Sequence, residues 1–161
     1  MDTRTSYSRG ADVHHNPRST AQIAGHPLHP MLIPFPIAFL IGGFVADIVF
    51  LNNANAGWVI ASEWLIGAGV VTALIAAIAG LTDVAGERRI RDLNIAWYHA
   101  GGNVLAVLIS AYNFYIRYTL GEASIRWTGF VLSLVVVAIL ITTGWLGGEM
   151  VYRHRVGVQD H

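Results

Sequence analysis

The chain has 161 residues, 54% of them hydrophobic and only 12% charged, with a formal net charge of zero. Soluble domains carry about 25% charged residues, so this composition excludes an ordinary water-soluble fold, and the neutral balance gives no bulk electrostatic case for nucleic acid. There is no Cys, which excludes disulfides, Cys-ligated iron–sulfur clusters and covalent haem attachment, and leaves His, Asp and Glu as ligands for any metal.

Residues 1–24 are polar, lack the apolar stretch of a secretory signal, and are expected to form a disordered cytoplasmic arm. Residues 25–158 read as one membrane domain and 159–161 as a tail. The domain opens with His26-Pro27-Leu28-His29-Pro30, two imidazoles set three residues apart between prolines just ahead of an apolar run. His is the commonest metal ligand and the only side chain that ordinarily titrates near neutral pH. Pro34 and Pro36 predict an extended lead-in followed by a first helical turn, where a missing N–H costs nothing.

Four apolar runs follow, at about 31–51, 58–82, 96–116 and 127–147. Each matches the roughly 20 residues needed to cross about 30 Å of hydrocarbon. The expected architecture is therefore an all-α integral membrane four-helix bundle, up-down-up-down. All ten basic residues are Arg. Arg4, Arg9, Arg18, Arg88, Arg89, Arg91, Arg153 and Arg155 fall on the side of the termini, and only Arg117 and Arg126 on the other. The positive-inside rule then puts both termini in the cytoplasm and the protein in the inner (plasma) membrane.

Alternating directions gather ionisable residues at the cytoplasmic end: His26 and His29 before span 1, Asp83 at the end of span 2, His99 at the start of span 3, and Glu149 and His154 after span 4. On span 3, Asn103 lies at i+4 from His99, and the same face continues through Ala106, Ser110, Asn113 and Arg117. Polar side chains facing lipid are expensive, so this stripe is predicted to face the interior. At the opposite end Asp47 and Glu63 share a level with Arg117 and Arg126, which reads as an ion-pair cluster fixing helix order or, alternatively, as a proton or ion entrance. Trp58, Trp64 and Trp127 near that boundary read as aromatic-belt anchors.

Gly25-His26-Pro27-Leu28-His29-Pro30, Pro34-Phe35-Pro36, Asp47, Gly80-x-x-Asp83, His99, Gly144-Trp145-Leu146-Gly147-Gly148-Glu149-Met150-Val151-Tyr152 and Arg155-Val156-Gly157-Val158 together resemble DUF2231, a bacterial family of four-helix membrane proteins. The resemblance covers roughly residues 23–158. Some members of that family are fused to Rieske-type iron–sulfur domains, which implies redox work, although this chain has no such domain.

Three functions fit these residues. In the first, His29 and His99 are axial ligands of a b-type haem used for electron transfer with a redox partner protein, Gly101, Gly102 and Gly147 making room for the macrocycle. In the second, His26, His29 and His99 with Asp83 or Glu149 hold a Zn, Fe, Mn or Cu ion. In the third, the protein is a cofactor-free transporter, channel or assembly factor, alone or as a homo-oligomer, with the stripe on span 3 as its path. Beside all three stands a purely structural role for His26 and His29. No Gly-x-Ser-x-Gly turn or Walker loop supports hydrolytic or nucleotide chemistry.

Overall fold

The computed structural model describes residues 16–158. Residues 1–15 of the expected arm, and the tail 159–161, lie outside them. The described part of the arm is not loose. It is bonded to the C-terminal segment: the Gly157 N–H donates to Pro17 O at 2.8 Å, and Asn16 Nδ2 donates to Val158 O at 3.2 Å.

A two-residue hairpin follows, β1 (Gln22–Ile23) against β2 (His26–Pro27), antiparallel with Ile23 opposite His26. Its turn residues Ala24 and Gly25 both have positive φ, 50° and 80°, as a tight hairpin with right-handed strand twist requires. Helix α1 (Leu28–Leu32) comes next and runs almost without interruption into α2 (Pro34–Asn53). The extended lead-in expected at Pro34 is thus moved back to His26 and Pro27, and His29 is helical. Pro34 occupies the first turn of α2, where no donor is lost.

The remaining elements are α3 (Ala56–Gly86), α4 (Arg88–Arg91), α5 (Asn94–Leu120), α6 (Glu122–Ser124), a π-helical turn (Ile125–Gly129) and α7 (Phe130–Tyr152). Asn55 caps α3 by accepting from the Gly57 N–H at 2.8 Å. Glu87 caps α4, accepting from the Arg89 N–H at 3.1 Å. The Arg89 side chain, and then this backbone N–H, hold the Glu87 carboxyl below the usual carboxylate range.

Three stretches are long and apolar enough to cross a membrane: Leu28–Asn53, Ala56–Gly86 and Glu122–Tyr152. Helix α5, expected as a fourth, carries Asn94, His99, Asn103, Asn113 and Arg117 and does not stand with them on hydropathy alone. The long helices pack α2 on α3, α3 on α5, α5 on α7 and α7 on α2. Their shared core is Leu40, Ile66, Ala106 and Val136, flanked by Ile109, Phe114, Ile139 and Leu140. Close approach of α2 and α3 depends on glycine: a Cβ at Gly69 would fall 2.6 Å from Leu40 Cδ2, and one at Gly43 2.8 Å from Ile66 Cγ1. Polar layers lie at either end of this core.

Candidate functional site

The layer at the end with the α2–α3 and α5–α7 connections is built on Arg117. Its guanidinium lies at 0% exposure and donates all five N–H groups, to Asn113 Oδ1, Ser62 Oγ, Ser133 Oγ and both oxygens of Asp47, the last at 2.6 and 2.7 Å. Ser62 and Ser133 in turn donate to Asp47 at 2.6 and 2.8 Å. Asn113 Nδ2 donates to Ser133 Oγ and to the Gly129 carbonyl. Four helices contribute, and every polar atom of the group has a partner. The π-helical turn fits this group, since a Cβ at Gly129 would meet Ser124 O at 2.8 Å and Arg117 Nη2 at 3.1 Å. The ion pair expected from Asp47 and Arg117 is present and buried. Glu63 and Arg126 are not part of it: Glu63 is half-buried with no hydrogen bond or ion pair among the described residues, while Arg126 pairs with Glu122 at 2.9 Å and lies 5.8 Å from the Phe50 ring centre.

The layer at the end of the chain termini holds His29 and His99, brought from α1 and α5 to a ring-centre separation of 6.2 Å at 82°. His29 Nδ1 donates to the Ala76 carbonyl of α3 at 2.9 Å. His99 Nδ1 donates to the Thr143 carbonyl of α7 at 2.8 Å. A carbonyl only accepts, so each neutral ring carries its proton on Nδ1 and presents a lone pair at Nε2. At His99 that lone pair meets Asn103 Nδ2 at 3.2 Å, and Asn103 Oδ1 accepts from Thr143 Oγ1 at 3.2 Å. Among the described residues no polar partner meets His29 Nε2.

Glycines seat these rings. A Cβ at Gly80 would fall 2.9 Å from His29 Nδ1, and one at Gly147 3.1 Å from His99 Cε1. A Cβ at Gly102 would meet Thr143 Cγ2 at 2.5 Å, whereas Gly101 faces open space. The room expected for a macrocycle at Gly102 and Gly147 is thus filled by the chain's own side chains.

The wider cluster is not assembled. Among the described residues no group of three or more His, Asp or Glu is placed to hold a metal ion. His26 is exposed and turns to the Ala24 carbonyl of its own hairpin at 3.0 Å. Asp83 is spent on the arm: its Oδ1 accepts from Ser19 Oγ, Thr20 N and Ala21 N at 2.7–2.8 Å. Glu149 pairs with Arg153 at 2.8 Å on the outer side of α7, and His154 is exposed beyond that helix. Local pairing removes His26 and Glu149 from the His29/His99 pair, the arm removes Asp83, and His154 lies beyond the helix.

Between the layers the α5 stripe faces inward as expected, with Ala106, Ser110, Asn113 and Arg117 all at 2% exposure or less. The Ser110 hydroxyl is buried without a hydrogen-bond partner among the described residues. Ser62 and Ser133 were missed in the sequence although each lies on a stripe of its own helix: Ser62, Ile66, Gly69, Ala76, Ala79 and Asp83 are the buried residues of α3, and Ser133, Val136 and Thr143 those of α7. The helical spacing used for α5 would have found them.

Neither a curated protein nor a solved structure matches this chain. The His-Pro-x-His-Pro segment, the Asp83 turn, His99 and the Gly-Gly-Glu segment of α7 all fall within residues 25–160, the stretch matched by the family described as predicted membrane protein (DUF2231), and the chain belongs to that family.

Proposed function

We propose that this is a four-span inner-membrane protein with both termini in the cytoplasm, in which His29 and His99 hold a redox cofactor, b-type haem or a metal ion, for electron transfer. The observation that carries the proposal is the pair itself. Two imidazoles from different helices lie side by side, each fixed by an Nδ1–H to carbonyl bond of the kind that orients metal-ligating His. With two His as ligands, haem, whose macrocycle supplies the equatorial nitrogens, requires the Thr143 and His99 contacts at Gly102 and Gly147 to open, whereas a bare ion requires further protein ligands or water.

The fourth span is α5. Its 27 residues extend about 40 Å at 1.5 Å per residue, enough for a bilayer of about 30 Å. Ser110, Asn113 and Arg117 are buried among the other helices and His99 and Asn103 are half-buried, while Val104, Leu105 and Leu108 are exposed. The Arg asymmetry sets the orientation.

An optical spectrum of the purified protein, oxidised and then reduced, with metal analysis of the same sample, tests the proposal. A Soret band that sharpens on reduction, or a bound metal, is expected, and either His29→Ala or His99→Ala removes it while the protein still inserts. Unchanged cofactor content in both variants, or a folded wild type with neither haem nor metal, overturns it.

A second function, cofactor-free conduction of protons or water along α5, draws on the buried, unpartnered hydroxyl of Ser110 between the two polar layers. Under it, His99→Ala changes pH-dependent flux into proteoliposomes and leaves the optical spectrum unaltered.

A further inference from the structure

The outer flank of α7 carries an open groove of about 370 Å³ lined by Ile141, Gly144, Trp145, Gly148, Glu149 and Tyr152. Their spacing puts them on one face over three turns. The groove exists because two of these residues lack side chains: a Cβ at Gly144 would meet nothing within 4 Å, and one at Gly148 would touch only Tyr152 Cδ2 at 4.0 Å. Ile141, Trp145 and Tyr152 stand exposed along it. Its character changes along the helix. The Ile141 end is hydrocarbon; the other end has Glu149, paired at 2.8 Å with Arg153 one turn on, whose side chain is 76% exposed. α7 is among the helices able to cross a membrane, and on the proposed topology its C-terminal turns fall where the apolar core gives way to headgroups.

We propose that this groove binds one phospholipid whose headgroup carries both a phosphate and a primary ammonium. An acyl chain lies over Gly144 between Ile141 and Trp145, the phosphate meets the Arg153 guanidinium, and the ammonium meets the Glu149 carboxylate. The neighbouring opposite charges of Glu149 and Arg153 select the headgroup. A purely anionic headgroup can meet Arg153 but offers no cation to Glu149, and a quaternary ammonium has no N–H to donate to that carboxylate. Gly144 and Gly148 have the spacing by which membrane helices pair closely, but Trp145 and Tyr152 project beside them and hold a second helix backbone away, so lipid is favoured over another copy of the chain.

The full chain, purified in detergent, is mixed with phosphatidylethanolamine, phosphatidylglycerol and phosphatidylcholine of matched acyl chains, and retained lipid is counted by native mass spectrometry. Phosphatidylethanolamine is expected to be retained roughly fivefold over the other two, the preference that about 1 kcal/mol per charge contact provides. Gly144→Leu fills the groove in open space and should lose all three lipids with thermal stability unchanged. Glu149→Gln keeps the shape and should equalise phosphatidylethanolamine with phosphatidylcholine. Equal retention of the three lipids by the wild type overturns the proposal, as does wild-type retention by Gly144→Leu. So does rapid disulfide crosslinking of Gly144→Cys chains with lipid excluded, which would assign the groove to a second copy.

Discussion

The two polar layers differ in how fully their hydrogen-bonding capacity is spent. Around Arg117 every donor and acceptor is matched within the chain, across four helices, at 0–4% exposure. Around His29 and His99 each ring uses Nδ1 to fix its orientation; His99 Nε2 meets Asn103, and His29 Nε2 has no polar partner among the described residues. A saturated network has nothing left with which to bind a ligand, and any arrangement that separated Asp47 from Arg117 would leave a buried charge unpaired. A spare lone pair on an oriented ring, as at His29, is what a ligand site needs, and at His99 a ligand takes the place of Asn103.

Asp47→Asn is the severest test of that contrast. Breaking a buried pair by removing one charge costs about 3–5 kcal/mol, so a large drop in unfolding temperature in detergent is expected, with cofactor content per folded molecule unchanged. An Asp47→Leu, Arg117→Met double variant should recover much of the loss. If Asp47→Asn left stability intact but altered cofactor content or flux, the saturated layer would be the working site.

Gly129→Ala comes next. The added Cβ meets Ser124 O and Arg117 Nη2, and overpacking of this kind costs about 1–3 kcal/mol. Ser110→Ala runs in the opposite direction: removing a buried hydroxyl that has no partner should stabilise the fold by about 1 kcal/mol. A loss of stability would show that the hydroxyl is bonded to internal water and would strengthen conduction along α5. His29→Ala should change stability by only about 1 kcal/mol, the value of one hydrogen bond, and its effect is read in cofactor content.

The smallest effect belongs to Glu87, outside both layers. Arg89 lowers its carboxyl pKa in the folded chain, so its contribution is full above the ordinary carboxylate value and is lost as pH falls through the lowered folded value. Glu87→Gln should flatten this small acid-side slope in a thermal melt. An unchanged slope would place the acid sensitivity in other carboxylates.

Much of this organisation is legible in the sequence because it is local. Apolar runs long enough for bilayer spans and the inward stripe on α5 follow from residue type and helical period. Membership of the family was carried by short motifs. The Asp47/Arg117 pair was anticipated from matching depth alone, since a membrane helix rises by a constant amount per residue. By contrast, the placing of Asp83, Glu149 and His26 in one site with His29 and His99 used depth without rotation. Asp83 does lie at the right level, but its carboxylate faces Ser19, Thr20 and Ala21, and Glu149 lies on the outer face of α7.

The sequence by itself determined which segments are helical, that the chain is a membrane protein, and at which end each polar residue lies, because these depend on composition and on a fixed rise per residue. Only the tertiary structure decided which of those residues meet. That depends on the rotation of each helix about its axis, set by close contacts such as Gly43 with Ile66 and Gly69 with Leu40 and by the need to pair a buried guanidinium. Those contacts join residues far apart in the chain, so no local pattern contains them.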